Sequence, residues 1–116
     1  MLKKPVIDHW WQTETSWTIA GNFKGLGLFP TKYGSAGKPA PGYDVKVLKE
    51  DGSEAKPGEM GDICVKLPLP PSTFPTLWNA DKRYEENYMT TYPGYYQTYD
   101  AGPVSYTHLT LPTNRE

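Results

Sequence analysis

The chain has 116 residues, enough for one small domain, and its 37% hydrophobic content and mean hydropathy of −0.66 allow only a modest core. A formal net charge of −1 gives no electrostatic case for binding nucleic acid or an anionic membrane surface, and no run approaches the roughly 20 apolar residues of a membrane span. A single cysteine, Cys64, excludes an internal disulfide and fits a reducing compartment. Twelve prolines and eleven glycines argue against long helices.

In chain order, Met1-Leu2-Lys3-Lys4-Pro5 lacks the apolar stretch of a secretory leader. Lys3 to Trp11 reads as a short strand entered at Pro5 and leading into a loop. Residues 12–42 carry Gly21, Gly25, Gly27, Gly34, Gly37 and Gly42, which suggest tight turns, but no phosphate-loop pattern of the G-x-x-x-x-G-K-[ST] type occurs. Tyr43 to Lys49 alternates, with Val45 and Val47 on one face and Asp44 and Lys46 on the other, as a half-buried strand does. Glu50-Asp51-Gly52-Ser53 is a hairpin turn signal and Pro57-Gly58 a second turn. Gly61 to Leu67 is the next strand, with Cys64 read as structural, so residues 43–67 are expected to form an antiparallel β-meander.

Pro68, Pro70, Pro71 and Pro75 mark an extended surface connection, with a polyproline ligand as the alternative. Residues 80–89 read as the one helix, with Asn79 as N-cap, Asp81 in the first turn, and Tyr84 and Tyr88 four apart on one face. Pro93-Gly94 stops it, and Tyr95 to Tyr99 is a short strand ending at Asp100. The fold class is therefore α+β, with more strand than helix.

The stretch Asp8-His9-Trp10-Trp11-Gln12-Thr13-Glu14-Thr15 holds the chemistry. A hydroxyl beside a carboxylate suits a Mg²⁺-bound triphosphate, because Mg²⁺ takes hard oxygen ligands and keeps several waters. Flat indoles suit an adenine face or the wall of a small apolar pocket. The run resembles the WWQTE-type signature of AMP-forming short-chain acyl-CoA synthetases, the acetyl- and propionyl-CoA branch of the adenylate-forming enzymes. Gly37 to Val45, Gly61 to Lys66, and Pro93 to Asp100 resemble further blocks of that family in the family's order, so the likeness covers roughly residues 6–102. Leu67 to Pro71 and Pro75 to Asn79 look most like the propionyl-CoA type.

The resemblance implies part of the large N-terminal adenylation domain, including a small antiparallel β-barrel-like subdomain. It implies an ATP-dependent ligase that joins propionate or acetate to CoA through an acyl-adenylate. Thr13 would contact the α-phosphate and Glu14 would hold Mg²⁺. Asp8, His9, Trp10 and Gln12 would line the nucleotide site, Trp11 would close the floor of the acyl pocket, and Asp100 would accept hydrogen bonds from the ribose. A bulky indole in that pocket rejects long chains, while one methylene is worth only about 1–3 kcal/mol, so acetate and propionate are not separated. No residue is assigned to CoA. Other adenylate-forming ligases and a non-catalytic β-rich binding module are the alternatives.

Two positions depart from the family pattern: Ser16 and Tyr99 stand where the family usually has glycine. The family's phosphate loop, the Arg after the ribose Asp, the hinge and the C-terminal domain with its Lys have no counterpart in these residues. The chain is expected to be an internal piece, inactive alone and poorly soluble through unpaired strand edges. The likeness ends at Gly102; residues 103–116 resemble translated adapter sequence and are expected to be non-native, the alternative being a divergent strand with Leu109 and Leu111 alternating. His108 receives no role. The expected compartment is the cytoplasm, or the mitochondrial matrix for a eukaryotic source; the oligomeric state stays open.

Overall fold

Val45, Val47, Ile63 and Val65 are β-branched residues at alternating positions, and they pair directly across two antiparallel strands: Val45 lies opposite Val65 and Val47 opposite Ile63. In the computed structural model, which describes residues 3–4, 6–27, 30–105 and the backbone of 109–110, these strands are β4 (Asp44–Leu48) and β5 (Met60–Lys66). They are joined through the two expected turns. At the first, Asp51 Oδ1 accepts from the Ser53 amide at 2.9 Å and its hydroxyl at 2.6 Å, while the Gly52 amide donates to the Lys49 carbonyl at 2.8 Å. Gly61 is required where the chain enters β5: a Cβ there would lie 2.5 Å from the Leu48 carbonyl oxygen.

Strand β6 (Tyr95–Pro103) adds to the free edge of β5, giving a three-stranded sheet in the order β4-β5-β6. Ile63, Cys64 and Val65 are all fully buried, because the sheet is covered on both faces. Ile63, Val65 and Tyr96 join the larger core, while Leu48, Cys64 and Tyr92 form a second cluster. The expected structural role of Cys64 agrees with this burial, which pushes its thiol up to about 12, with a smaller contribution from Asp62.

The other sheet runs β1 (His9–Trp11), β2 (Thr18–Gly21), β3 (Ser35–Pro39) and β7 (Leu109–Thr110), each pair antiparallel. Among the described residues the two sheets stay open and do not close into the expected barrel, because the hydrogen-bonded ladders end at β1, β7, β4 and β6. β1 is shorter than the strand expected from Lys3, and Pro5 lies outside the described residues, as do Tyr106, Thr107, His108 and residues 111–116. The backbone of Leu109–Thr110 pairs with β3.

Helix α1 (Asp81–Tyr88) falls inside the expected 80–89 span. Its N-cap differs: Ala80 holds that place without a side-chain hydrogen bond, and Asn79 sits one residue earlier in the left-handed region at φ 48°. The Thr76 hydroxyl, 2.6 Å from Asp81 Oδ1, ties down the first turn instead. Tyr84 and Tyr88 do share a face, with ring centroids 5.9 Å apart.

Candidate functional site

Alternation along β1 decides which way the aromatic pair points: Trp10 turns inward and is buried, while His9 and Trp11 turn outward, Trp11 being 53% exposed. The chain then turns sharply. Thr13–Thr15 form a single 3-10 turn, closed by the Thr15 amide on the Gln12 carbonyl at 3.1 Å. Thr15 is the buried anchor of this turn: its hydroxyl accepts from the Gln12 amide at 3.1 Å and faces the carbonyls of Gln12 and Trp17 at 3.0 and 2.9 Å. Ser16 ends the turn at φ 57°, a left-handed conformation that glycine adopts without cost.

Thr13 is thereby left exposed and Glu14 half-buried. The Glu14 backbone is fixed from outside by the Phe74 amide, which donates to its carbonyl at 2.9 Å. The Pro68–Pro75 stretch therefore lies across this turn with Leu69, Pro70 and Phe74 half-buried, consistent with a connection and not a free proline ligand. Burial, and then the Glu14 charge, push both Tyr88 and Tyr96 above the usual phenol range.

Asp100 reaches the same region from the far end of the sequence. Opposite β5, Ile63 pairs with Asp100 and Cys64 with Gln97, so Thr98 and Tyr99 are extra residues in a β-bulge. Tyr99 takes φ 61° there. Thr98 stitches the bulge, its buried hydroxyl donating to the Ile63 carbonyl at 2.6 Å and accepting from the Asp100 amide at 3.2 Å. Two donors converge on Asp100 Oδ2: the Trp10 indole N–H at 3.1 Å and the Gln12 side-chain amide at 3.1 Å. Gln12 also donates to the Thr98 carbonyl at 2.6 Å and accepts from the Tyr96 hydroxyl at 2.9 Å. Every polar atom of the Gln12 side chain is thus committed to β6.

The structure joins Trp10 and Gln12 to Asp100 by hydrogen bonds, with Thr13 and Glu14 in the turn that follows Gln12. It does not bring Asp8, His9 or Trp11 to this junction. Asp8 caps its own neighbour, accepting from the His9 amide at 2.9 Å, and lines one hollow with Ile7, Asn22 and Lys32. His9 lines another with Thr18, Phe23 and Lys24. Trp10, expected to line the nucleotide site partly through backbone atoms, buries its side chain in the core and presents its N–H to Asp100, as its inward register requires. Sequence reasoning missed Thr15, Phe74, Tyr96 and Thr98; no local spacing marks the last three, whose partners lie up to 86 residues away, whereas Thr15 bonds the nearby Gln12 and Trp17.

The donor set at Glu14 suits a metal that arrives with its own ligands. Mg²⁺ is commonly held by one or two carboxylates plus substrate phosphates and water. Glu14 is the one carboxylate of this turn, beside the exposed Thr13, and no cluster of three or more His, Cys, Asp or Glu side chains able to hold an ion occurs among the described residues.

The family profile gives the class: the chain belongs to the AMP-binding enzyme family, whose profile matches residues 1–78. Its relatives narrow this further. It is 45% identical over 103 residues to the mitochondrial acyl-CoA synthetase short-chain family member 3 of Mus musculus, covering 88% of this chain and 15% of that protein. It is 40% identical to the propionate–CoA ligase of Escherichia coli over 103 residues, covering 87% of this chain and 16% of that protein. Among solved structures, a Brucella canis acyl-CoA synthetase superposes with a TM-score of 0.74 at 30% identity, covering 95% of this chain and 19% of that one. The unliganded O-succinylbenzoate coenzyme A synthetase of Bacillus subtilis gives 0.72 at 27%, covering 96% and 22%. The chain thus spans about 15% of the length of the curated relatives it matches. No helix among the described residues is long and apolar enough to cross a membrane.

Proposed function

We propose that this chain is the part of an ATP-dependent acyl-CoA ligase that holds the nucleotide, acting on propionate or acetate. The carboxylate substrate attacks the α-phosphorus of ATP, forming an acyl-adenylate and expelling pyrophosphate. The CoA thiol then attacks the acyl carbon and AMP leaves. The first half needs little covalent help from protein; positioning and charge neutralisation lower the barrier.

The observation that carries this reading is the meeting of Trp10 and Gln12 with Asp100 across 90 and 88 residues of sequence. It sets a carboxylate suited to ribose hydroxyls beside the Thr13–Glu14 turn, as one nucleotide would need. In this reading Thr13 donates to the α-phosphate. Glu14 ligates Mg²⁺, which when bound offsets phosphate charge. Trp10 and Gln12 act through Asp100, holding its Oδ2 side. Asp8 and His9 lie in separate hollows away from the junction and receive no role in this reading, and Trp11 offers the apolar face expected to floor the acyl pocket. ATP, Mg²⁺ and CoA are the implied cofactor and co-substrates. A soluble compartment, cytoplasm or mitochondrial matrix, follows the one-cysteine composition and the mitochondrial relatives.

The test is carboxylate-dependent ATP–pyrophosphate exchange by the intact protein containing this chain. Exchange with propionate and acetate, lowered by about two to three orders of magnitude in Glu14→Gln, is expected. Exchange with neither acid, or exchange insensitive to Glu14→Gln, overturns the reading.

A further inference from the structure

Helix α1 has no fully buried residue, yet its last turn sits at the centre of an aromatic cluster. The Tyr88 ring stacks on Tyr96 at 5.5 Å and 7°. It meets Phe74 edge-on at 5.5 Å and Tyr99 edge-on at 6.0 Å, with Tyr84 5.9 Å away. Three of these partners each hold one piece of the junction. The Phe74 amide fixes the Glu14 carbonyl, and the Tyr96 hydroxyl fixes Gln12, which in turn holds Asp100. Tyr99 is the residue before Asp100, and its hydroxyl donates to the Asn87 carbonyl in the same helical turn.

We propose that Tyr88 is a positioning residue that sets the placement of the Glu14 turn relative to the Asp100 carboxylate. The proposal rests on the nucleotide reading of those two groups. Tyr88 touches neither group through a hydrogen bond; it acts because a single flat ring is the shared wall of Phe74, Tyr96 and Tyr99. Aromatic rings at these separations have defined stacked and edge-on geometries, so removing the hub lets three arms relax independently. If Tyr88 only anchored α1 on the sheet, its loss would lower stability and leave the nucleotide constants alone.

The experiment compares Tyr88→Leu, Tyr88→Phe and Asp100→Asn in the intact protein. Tyr88→Leu is expected to raise KM for ATP about tenfold, while KM for the carboxylic acid stays within about twofold. Tyr88→Phe, which keeps the ring, returns KM for ATP close to the parent value. In the Tyr88→Leu background, Asp100→Asn costs less than in the parent, because the carboxylate is already misplaced. An unchanged KM for ATP in Tyr88→Leu, with Asp100→Asn still raising it, overturns the proposal alone. An unchanged KM in both Asp100→Asn and Glu14→Gln overturns the nucleotide reading and the proposal with it. Should circular dichroism show Tyr88→Leu unfolded, Tyr99→Leu removes only the exposed arm to Asp100; a rise of about threefold in KM for ATP supports the proposal, and no rise overturns it.

Discussion

The two sheets solve the same problem differently. In β4-β5-β6 the central strand is buried on both faces, and the ladder runs five residue pairs on one side and seven on the other. In β1-β2-β3-β7 the strands are two to five residues long, and Trp11 and Trp17 stay 53% and 61% exposed. The first sheet is a finished scaffold. The second has short ladders, although β2 buries Ile19, Ala20 and Gly21 and β3 buries Ser35, Ala36 and Gly37. The candidate site lies where the two meet, so the Asp100 side rests on the sheet with the long ladders and the Thr13–Glu14 side on the one with the short ladders.

Substitutions can break or sharpen that contrast. The largest effect is expected from Glu14→Gln, which removes the charged metal ligand and lowers ATP–pyrophosphate exchange by about two to three orders of magnitude while leaving the thermal midpoint nearly unchanged. Gly61→Ala strikes the finished sheet: its Cβ meets the Leu48 carbonyl, and urea unfolding of the intact protein should show a loss of about 2–3 kcal/mol. A smaller loss here than from Gly21→Ala in the β1–β2 sheet would reverse the ranking of the two sheets. Trp10→Phe deletes one donor to Asp100 and keeps most of the ring, costing about 1–2 kcal/mol and raising KM for ATP several-fold. Ser16→Gly relieves a left-handed residue in the exposed turn and is expected to stabilise by about 1 kcal/mol.

The thiol of Cys64 offers the mildest test. Its raised folded value means that the neutral form is the one the native state favours. Its contribution to stability is complete below the ordinary thiol pKa and is lost as pH rises from there toward about 12. A thiol reagent at pH 8 should label it only upon unfolding; labelling of the native protein would show that the two-faced burial of β5 opens readily.

Much of the finished sheet was legible in the sequence. Val45, Val47, Ile63 and Val65 alternate, the turns carry Asp-Gly-Ser and Pro-Gly, and the 80–89 helix lacks internal glycine and proline. The junction was legible in membership only. Alternation says that Trp10 and Trp11 face opposite ways, but which one faces the core depends on the pairing of β1 with β2, a tertiary fact. The helix start was misplaced because Asn79 is equally suited to capping and to the left-handed turn it occupies. The strand to Asp100 runs on to Pro103 past the bulge, which propensity cannot mark when a tyrosine takes the left-handed position. The glycine preference of the family at 16 and 99 did mark both bends, since both residues have positive φ.

The bulge in β6 also carries a rule about chain length. Because it holds two extra residues, the strand leaves it in the phase in which it entered, and Tyr96, Thr98 and Gly102 all turn to the buried side. Asp100 sits in that same even-numbered series, which is how a carboxylate comes to face Trp10 and Gln12. Insertions or deletions at this corner should therefore be survivable in pairs and ruinous singly, since one residue more or less would turn the carboxylate toward water and present its neighbour to the junction.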